Sequence, residues 1–284
     1  MIDIRQSENY ANYLTVQGWI VERINNISYS IKKMPLIGSV LKIQRPEKLE
    51  IDVIRKLAKK YRSFQIIIEP KNYKDANLLA SIGYKLAKST YLPSKTLQID
   101  LTQSMVKIFN SFKKDARASI KRGETIKVKE YSSPNDVKEF RDGWRNCVNF
   151  KRFVPSYNQL INLRKSFPQN HSMFLASHNK LGSIIGGAIF TISSHERSNY
   201  ITYYWQAFTN SEGRTSLSQY ALLYQGILWA KEQGCKVFDF EGIYDERSPN
   251  KSWLGFSHFK KSFGGSDVLY PGCFKKNRFL NLIA

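Results

Sequence analysis

Helical and strand patterns alternate along the first third of the sequence, and this alternation constrains the fold more than any other feature. Apolar residues recur at helical spacing over Ile51–Tyr61, and the apolar run Phe64–Glu69 follows directly. A second helical pattern covers Asp75–Ile82, and a strand pattern follows over Lys95–Asp100. Helices that alternate with strands pack on the faces of a sheet, so the sequence predicts an α/β fold.

The second half of the chain begins with helical patterns and continues into closely spaced strands. We expect helices at 137–148 and 157–167, strands at 172–176, 187–192 and 200–208, and a turn at 197–199. The polar run Ser132–Asp136 precedes them and is the best candidate for a linker. The sequence therefore divides into units of residues 1–132 and 133–284. Their similar size suits a duplicated α/β unit.

The chain carries a large excess of positive charge. Its 284 residues include 44 Lys and Arg against 23 Asp and Glu, a net charge of +21, while a hydrophobic content of 42% indicates a packed globule. Such an excess attracts polyanions: RNA, DNA, nucleotide-linked substrates or an anionic membrane surface. A basic surface that is merely solvated is the alternative.

Cysteine usage and the termini indicate the compartment. Cys147, Cys235 and Cys273 are scattered and form no CxxC pair, which predicts a reducing environment and no zinc or other metal site. The N-terminus lacks a secretory pattern, and no run approaches the roughly 20 apolar residues that cross a bilayer. We expect a cytoplasmic protein that can contact the inner face of the cell membrane.

A basic helix face is predicted after Thr102, which suits a helix N-cap in a pattern that ends at Gly123. Apolar residues at helical spacing form one side. The opposite side carries Lys107, Lys113, Lys114, Arg117 and Lys121. This concentration of charge favours contact with RNA or phosphate groups, and a solvated helix face is the alternative.

A second anion site is suggested by the loop Ser211–Ser218, which places Gly213 and Arg214 directly before a helical pattern. Free backbone N–H groups and the positive end of the helix dipole suit a phosphate. An ordinary capped helix start explains the same residues.

The stretch from Gly234 to Gly265 is the strongest candidate for a functional site. A short strand follows Gly234, and its alternation places Phe238 and Phe240 on one sheet face and Asp239 and Glu241 on the other, with the carboxylates roughly 7 Å apart. They suit the lining of a polar cleft. The alternative is that they form structural salt bridges with Lys260 or Lys261.

The residues favour transfer of an activated acyl group to an amine. The histidines lack metal-ligand spacing, and no GxSxG, Walker A or GxGxxG motif occurs. An activated ester carries its own leaving group, so an enzyme has only to orient the amine, accept a proton and neutralise developing charge. We expect Asp239 or Glu241 to guide the proton, Lys260 to stabilise the oxyanion or leaving oxygen, and Tyr203 and Tyr204 to line an acceptor channel, unless those tyrosines only pack the sheet.

Several motifs resemble those of the FemABX (Fem-type) peptidoglycan bridge aminoacyltransferases. They are Asn199–Trp205, Gln219–Lys231, Gly234-Cys235, Phe238–Gly242 and, above all, Gly255–Gly265. The resemblance implies two acetyltransferase-like (GNAT) units in tandem, each a mixed twisted sheet flanked by helices. It also implies an enzyme of cell-wall biogenesis that moves an amino acid from aminoacyl-tRNA to the stem-peptide lysine of a peptidoglycan precursor.

The resemblance also assigns site residues. The family's Phe-Lys pair falls on Phe259 and Lys260, so Lys260 is expected to meet the tRNA 3′ end or stabilise charge. The acceptor-binding tyrosines fall near Tyr203 and Tyr204. Arg214, Gln219 and Lys261 complete the expected substrate contacts, and aminoacyl-tRNA is a co-substrate rather than a bound cofactor.

The sequence departs from the family's opening pattern and arm. Gln6-Ser7 is followed by Tyr10 where the family has tryptophan, and Leu14 replaces a precursor-binding lysine. No sustained heptads indicate the long helical arm of some members. The acceptor is thus a UDP-linked or lipid-linked precursor or another amine. Two rivals remain: an acyl-CoA-dependent N-acyltransferase, and a non-catalytic protein of the same fold that binds tRNA or a membrane surface.

Overall fold

The computed structural model describes residues 2–193 and 200–278. The predicted turn at 197–199 lies outside them. The helices are α1 Glu8–Val16, α2 Ile51–Lys60, α3 Tyr73–Ser81, α4 Met105–Ser111, α5 Lys114–Gly123, α6 Pro134–Cys147, α7 Tyr157–Ser166, α8 Ser211–Thr215, α9 Ser218–Glu232 and α10 Leu254–Lys261. The strands are β1 Ile20–Ile24, β2 Ile27–Met34, β3 Gly38–Gln44, β4 Ser63–Glu69, β5 Lys85–Leu86, β6 Lys95–Asp100, β7 Lys127–Glu130, β8 Ser172–His178, β9 Ile184–Ile192, β10 Ile201–Thr209, β11 Val237–Asp239, β12 Ser266–Leu269 and β13 Phe274–Asn277.

These strands form two mixed sheets, ordered β1-β2-β3-β4-β13-β5 and β12-β6-β11-β10-β9-β8-β7. Each sheet contains one parallel pair, β3 with β4 and β10 with β11, while its other pairs are antiparallel. Helix α2 connects the first parallel pair and α9 connects the second, as parallel strands require a crossover. The predicted α/β fold with two mixed sheets flanked by helices is confirmed.

The two sheets do not coincide with the predicted units 1–132 and 133–284, because each sheet contains strands from both. Strand β6 (95–100) belongs to the second sheet, and β13 (274–277) returns to the first. The linker candidate Ser132–Asp136 contains the capped start of α6, where Ser133 and Asp136 form a capping box and Pro134 begins the helix. The division into units stays a prediction, because sheet membership alone does not define a folding unit.

Two helical patterns were predicted too long. Apolar and aromatic residues at Tyr10, Tyr13, Leu14 and Ile20 predict a helix over 8–23. This stretch divides into α1 and β1, because the chain turns at Gly18 with a φ of 77°. The helix expected from Thr102 to Gly123 is two helices, since Phe112 and Lys113 adopt extended backbone conformations between α4 and α5. Phe112 packs in the core with its ring centroid 5.2 Å from that of Phe263, and this contact interrupts the helix.

The second sheet is buried on both faces. Helices α4, α5 and α9 cover the face that carries Phe190, Phe238 and Phe240, while α6 and α7 cover the face that carries Phe174 and Tyr203. Helices α2 and α3 pack on the first sheet. None of the helices in the described ranges is long and apolar enough to cross a lipid bilayer.

Candidate active site

Strands β10 and β11 separate at the candidate site. They pair in parallel only over three positions, ending at Tyr203 and Asp239. Strand β11 then ends, while β10 continues to Thr209 with an irregular register between Tyr204 and Gln206. Parallel strands that diverge leave a gap between them. Side chains from α10 and from the N-terminal segment fill it.

Asp239 is buried at the start of this gap, with 1% of its surface exposed. Its carboxylate accepts hydrogen bonds from the Thr96 hydroxyl (2.5 Å), the Gln98 amide (2.8 Å) and the backbone N–H of Glu241 (2.7 Å). Burial raises the pKa of Asp239 to about 6, and the neighbouring Glu241 charge adds to that increase. Asp239 therefore fixes the turn that follows the strand.

Glu241, the second residue after β11, adopts a left-handed backbone conformation with φ at 63°. Its carboxylate meets the guanidinium of Arg5, with both nitrogen–oxygen distances at 2.8 Å. Arg5 is 6% exposed, and its guanidinium lies 5.6 Å from the Tyr203 ring centroid and 5.1 Å from that of Trp205. The N-terminal segment is thus a wall of the site.

The Arg5–Glu241 pair continues into a row of alternating buried charges. Asp3 lies 3.5 Å from Arg5 and 3.0 Å from Arg45, and Arg45 stacks 3.6 Å from the Tyr270 ring centroid. Burial acts to raise the pKa of Asp3, but the two guanidinium groups outweigh it and lower that pKa. Arg45 directly follows β3, so the row connects the first sheet to the turn at Glu241 beside the second.

Lys260 reaches the same turn from α10. Its Nζ donates hydrogen bonds of 2.7 Å to the carbonyl oxygens of Phe240 and Gly242, on either side of Glu241. The ammonium lies 5.6 Å from the Tyr204 ring centroid and 5.0 Å from that of Phe256. Burial lowers the pKa of Lys260 to about 8, although the Glu241 and Asp239 carboxylates oppose this. A positive charge is held between aromatic rings beside Glu241.

The predicted alternative, in which the carboxylates form salt bridges with Lys260 or Lys261, is wrong about the partners. Lys260 binds backbone carbonyls, and Lys261 pairs with Asp267 at 3.5 Å. The ion-pair partner of Glu241 is Arg5, which the sequence analysis did not single out.

Tyr203 and Tyr204 lie on opposite faces of the sheet, so they do not line one channel as predicted. The alternation of a strand requires this. The Tyr203 hydroxyl accepts a hydrogen bond from the Ile4 backbone N–H (3.2 Å). The Tyr204 hydroxyl donates to Gln219 (2.9 Å), and the Gln219 amide donates to the Phe208 carbonyl (2.7 Å). Tyr204 and Gln219 therefore stabilise the irregular part of β10 beside Lys260.

An exposed basic surface adjoins the end of α10. The Lys113 backbone N–H donates to the Ser262 carbonyl (2.8 Å), so α5 begins beside Lys261. Lys113, Lys114 and Lys121 are exposed, as is Lys261. Arg117 departs from the prediction because its guanidinium donates to the carbonyls of Asn110 and Phe112 and caps α4. Phe259 is half-buried, with ring centroids 4.8 Å from Tyr220 and 5.5 Å from Phe263.

Several N–H groups of the loop before α9 are not free for a phosphate, contrary to the prediction. The Gly213 N–H donates to the Asn210 side chain, and the N–H groups of Arg214 and Ser216 donate to backbone carbonyls. A Cβ at position 213 would lie 2.3 Å from the Ile185 carbonyl oxygen, so this glycine permits close packing. The exposed Arg214 guanidinium donates to the Thr209 carbonyl (3.2 Å).

A cavity of about 210 Å³ adjoins the turn that Lys260 holds. Residues 89–94 form one side, and Ile243, Tyr244, Asp245 and Trp253 contribute to the other. A Cβ at position 242 would lie 2.5 Å from the Trp253 ring, so only glycine fits between this wall and Lys260. The cavity suits a small amphipathic group.

The sequence analysis missed the polar residues that complete the site. These residues are Asp3, Arg5, Arg45, Thr96, Gln98 and Tyr270. The one local signal is the position of Arg5, directly before the Gln6-Ser7 pair that resembles the Fem-type opening. Gln6 donates to the Gln44 carbonyl (2.6 Å), and Ser7 caps α1.

The fold is that of the tandem GNAT-like proteins. The crystal structure of FemX matches with a TM-score of 0.79 and 16% identity, over 97% of this chain and 92% of that one. L-PGS from Bacillus licheniformis matches with a TM-score of 0.63 and 14% identity, over 96% of this chain and 88% of that one. A tandem GNAT protein from the clavulanic acid biosynthesis pathway matches with a TM-score of 0.54 and 8% identity, over 96% and 94%.

At identities of 8–16%, these similarities show that the chain shares the fold of these proteins. No protein-family model matches the sequence, and no curated protein matches it. The tandem GNAT fold expected from the FemABX resemblance is confirmed by the match to FemX, which extends over nearly the whole of both chains.

Substitution of Arg5 by Met will lower the free energy of unfolding by about 3–5 kcal/mol, because Glu241 is left as a buried charge without its partner. Urea denaturation measures the change. The matched control is Arg55→Met, which removes an exposed ion pair with Asp52 and will change stability by less than about 0.5 kcal/mol. Adding Glu241→Gln to Arg5→Met will restore part of the loss. Equal effects of Arg5→Met and Arg55→Met would contradict the buried pair.

Proposed function

We propose that this protein is an aminoacyltransferase that takes an amino acid from aminoacyl-tRNA and places it on an amine of a peptidoglycan precursor. The observation that carries the proposal is the buried Lys260 ammonium, held beside Glu241 where β10 and β11 separate. The FemX-like fold and the Fem-type motif around Phe259 and Lys260 support the same reaction.

Transfer begins when the acceptor amine attacks the ester carbonyl of the aminoacyl group. The carbonyl oxygen gains negative charge, and the Lys260 ammonium, fixed beforehand by two carbonyls, stabilises it without reorganisation. The amine must lose a proton, and the ribose oxygen must gain one as it leaves. Glu241 keeps 12% of its side chain exposed, so it is the carboxylate placed to take the proton from the amine and pass it to the departing ribose oxygen.

Asp239 has a different role from the proton carrier considered in the sequence analysis. It is 1% exposed and accepts three hydrogen bonds, which leaves it no access to substrate. Its contact with the Glu241 N–H orients the Glu241 turn. Arg5 orients the carboxylate from the other side.

The exposed basic surface provides a place for the tRNA backbone. Lys113, Lys114 and Lys261 lie beside the end of α10, one turn from the Phe259-Lys260 pair. Phosphates bound there bring a 3′ end towards the gap between β10 and β11. The cavity beside Gly242 accommodates part of the aminoacyl group or of the acceptor, which is a UDP-linked or lipid-linked precursor.

The acyl-CoA rival is less well supported. It requires free N–H groups for a pyrophosphate before α9, and those of Gly213, Arg214 and Ser216 already have acceptors. The non-catalytic rival leaves unexplained why a lysine is buried and desolvated beside two carboxylates.

Radiolabelled amino acids from a charged total-tRNA pool will be transferred to UDP-MurNAc-pentapeptide. Lys260→Ala will lower turnover by more than roughly tenfold, because the negative charge that develops on the carbonyl oxygen loses its stabilisation. Scintillation counting of the isolated precursor measures transfer. Lys59→Ala is the matched control, because Lys59 is an exposed lysine on α2 outside the site, and this variant will keep turnover within about threefold.

RNase treatment of the tRNA pool must abolish the transfer. An unchanged rate in Lys260→Ala would remove Lys260 from the mechanism. Absence of transfer to any precursor, together with turnover of an acyl-CoA, would replace the proposed function by its rival.

The pH profile of kcat/KM will be bell-shaped, with limbs near pH 6 and pH 8. Below about 6 the Asp239 carboxyl is protonated and releases the Glu241 N–H, and above about 8 the Lys260 ammonium loses its proton. Asp239→Asn will abolish the acidic limb while keeping the alkaline one. An acidic limb that persists in Asp239→Asn would assign it to another group.

Replacing Lys113 and Lys114 by Gln will weaken tRNA binding. It will also reduce the magnitude of the slope of log K against log salt by about 1–2, because two phosphate contacts are lost and fewer counterions are released on binding. Filter binding at several salt concentrations measures the slope. Lys85→Gln with Lys88→Gln, which changes exposed lysines on and beside β5, is the control with equal charge. Identical slopes for both double variants would make the α5 surface a solvated one.

A further inference from the structure

The β2–β3 hairpin ends in an exposed apolar tip. Met34, Leu36 and Ile37 are all exposed, and Leu36 is completely so. Isolated apolar side chains are common at protein surfaces, but three within four residues at the end of a hairpin form a contiguous projection. The hairpin needs none of them for its own core, since its inward residues are Tyr29, Ile31 and others of the first sheet.

Positive charge surrounds this tip. Lys32 and Lys33 directly precede Met34, and the stretch 27–44 contains no acidic residue. The Lys32 Nζ donates to the carbonyls of Gln17 and Gly18 (3.3 and 3.0 Å), which brings the end of α1 and its exposed Val16 beside the hairpin. Apolar side chains that are flanked by lysines suit the interface between the acyl chains and the anionic headgroups of a lipid bilayer.

A second apolar and basic loop lies at the same end of the molecule. Helix α1 and strand β2 both begin beside Gln6, which accepts from the Ser28 N–H, and both end at the Lys32 contact, so they run in the same direction. Asn9, in the first turn of α1, contacts His171, which follows α7. The two helices pack together, so they run antiparallel and α1 ends near the start of α7.

The loop that precedes α7 carries exposed Phe150 and Phe153 around Lys151 and Arg152. Residues 148–156 contain no acidic side chain either. The end of the molecule formed by residues 32–37, Val16 and residues 150–153 is named the docking end. It displays two clusters of apolar tips, each with two cations.

We propose that the docking end binds reversibly to an anionic lipid bilayer, with Leu36 and Ile37 inserted at the level of the headgroups. A bilayer fits better than a protein partner because the apolar groups are separate projections rather than one groove, and every charged side chain among residues 32–37 and 150–153 is positive. Two weak apolar anchors with basic collars give reversible attachment.

The docking end is remote from Lys260 and Glu241. Arg5 and Gln6 lie at the start of β2, and eight residues of strand at roughly 3.3 Å each separate Ser28 from Leu36, a distance of about 25 Å. Lipid binding and turnover of a water-soluble substrate are therefore independent measurements. The docking proposal does not rest on the proposed function.

The experiment is co-sedimentation with vesicles of phosphatidylcholine alone or with one third phosphatidylglycerol. The unchanged protein will bind only the anionic vesicles, and Leu36→Ser with Ile37→Ser will weaken that binding at least about fivefold. Val106→Ser is the matched control, because Val106 is also an exposed apolar residue and lies beside an exposed lysine on α4. It will change binding less than about twofold.

Insertion is tested separately with Leu36→Cys carrying an environment-sensitive dye, since Cys147, Cys235 and Cys273 are buried. Anionic vesicles will shift its emission to the blue, whereas dye on Val106→Cys will not shift. Lack of binding to anionic vesicles, equal binding by the Leu36→Ser, Ile37→Ser variant, or an unshifted dye would each overturn the proposal. Melting curves matching those of the unchanged protein show that the variants fold.

Discussion

A row of buried charges, Arg45–Asp3–Arg5–Glu241, holds the two sheets in the relation that the site needs. Each charge is desolvated, and each has an opposite charge within 3.5 Å. Removing any one leaves another uncompensated, so the row is intolerant of change even where its net contribution to stability is small. The N-terminal segment is consequently part of the wall of the candidate site, and the position of Glu241 depends on residues from three distant parts of the sequence.

The turn at Glu241 is held by hydrogen bonds from an ammonium group and to a carboxylate group. Lys260 binds the carbonyls before and after Glu241, while Asp239 binds its N–H. These contacts stabilise a left-handed conformation that a glutamate rarely adopts. Burial lowers the pKa of Lys260 and raises that of Asp239, so both pKa values move towards neutral pH. The same packing that fixes the geometry therefore tunes the acid and base behaviour of the site.

Local patterns were sufficient for the fold class and for the strand that carries Asp239. Alternation correctly placed Phe238 and Phe240 in one core with Asp239 on the other face, because strand periodicity is a short-range property. The Arg5–Glu241 pair was beyond such reasoning, since 236 residues separate the partners. The break between α4 and α5 was also missed, because it arises from packing of Phe112 against Phe263 and no proline or glycine marks it.

The exposed charges of this molecule are screened by salt, whereas the buried charges at the site are not. The net charge of +21 lies largely on exposed lysines, whose attraction for a polyanion is screened within roughly 8–10 Å at physiological ionic strength. Arg5, Glu241 and Lys260 are almost enclosed by protein, where mobile ions do not enter. Recruitment of a polyanion therefore weakens with salt, while the electrostatics at Lys260 and Glu241 persist. Under the proposed function, the basic surface sets how often a polyanionic substrate arrives, and the buried groups act on it after it has bound.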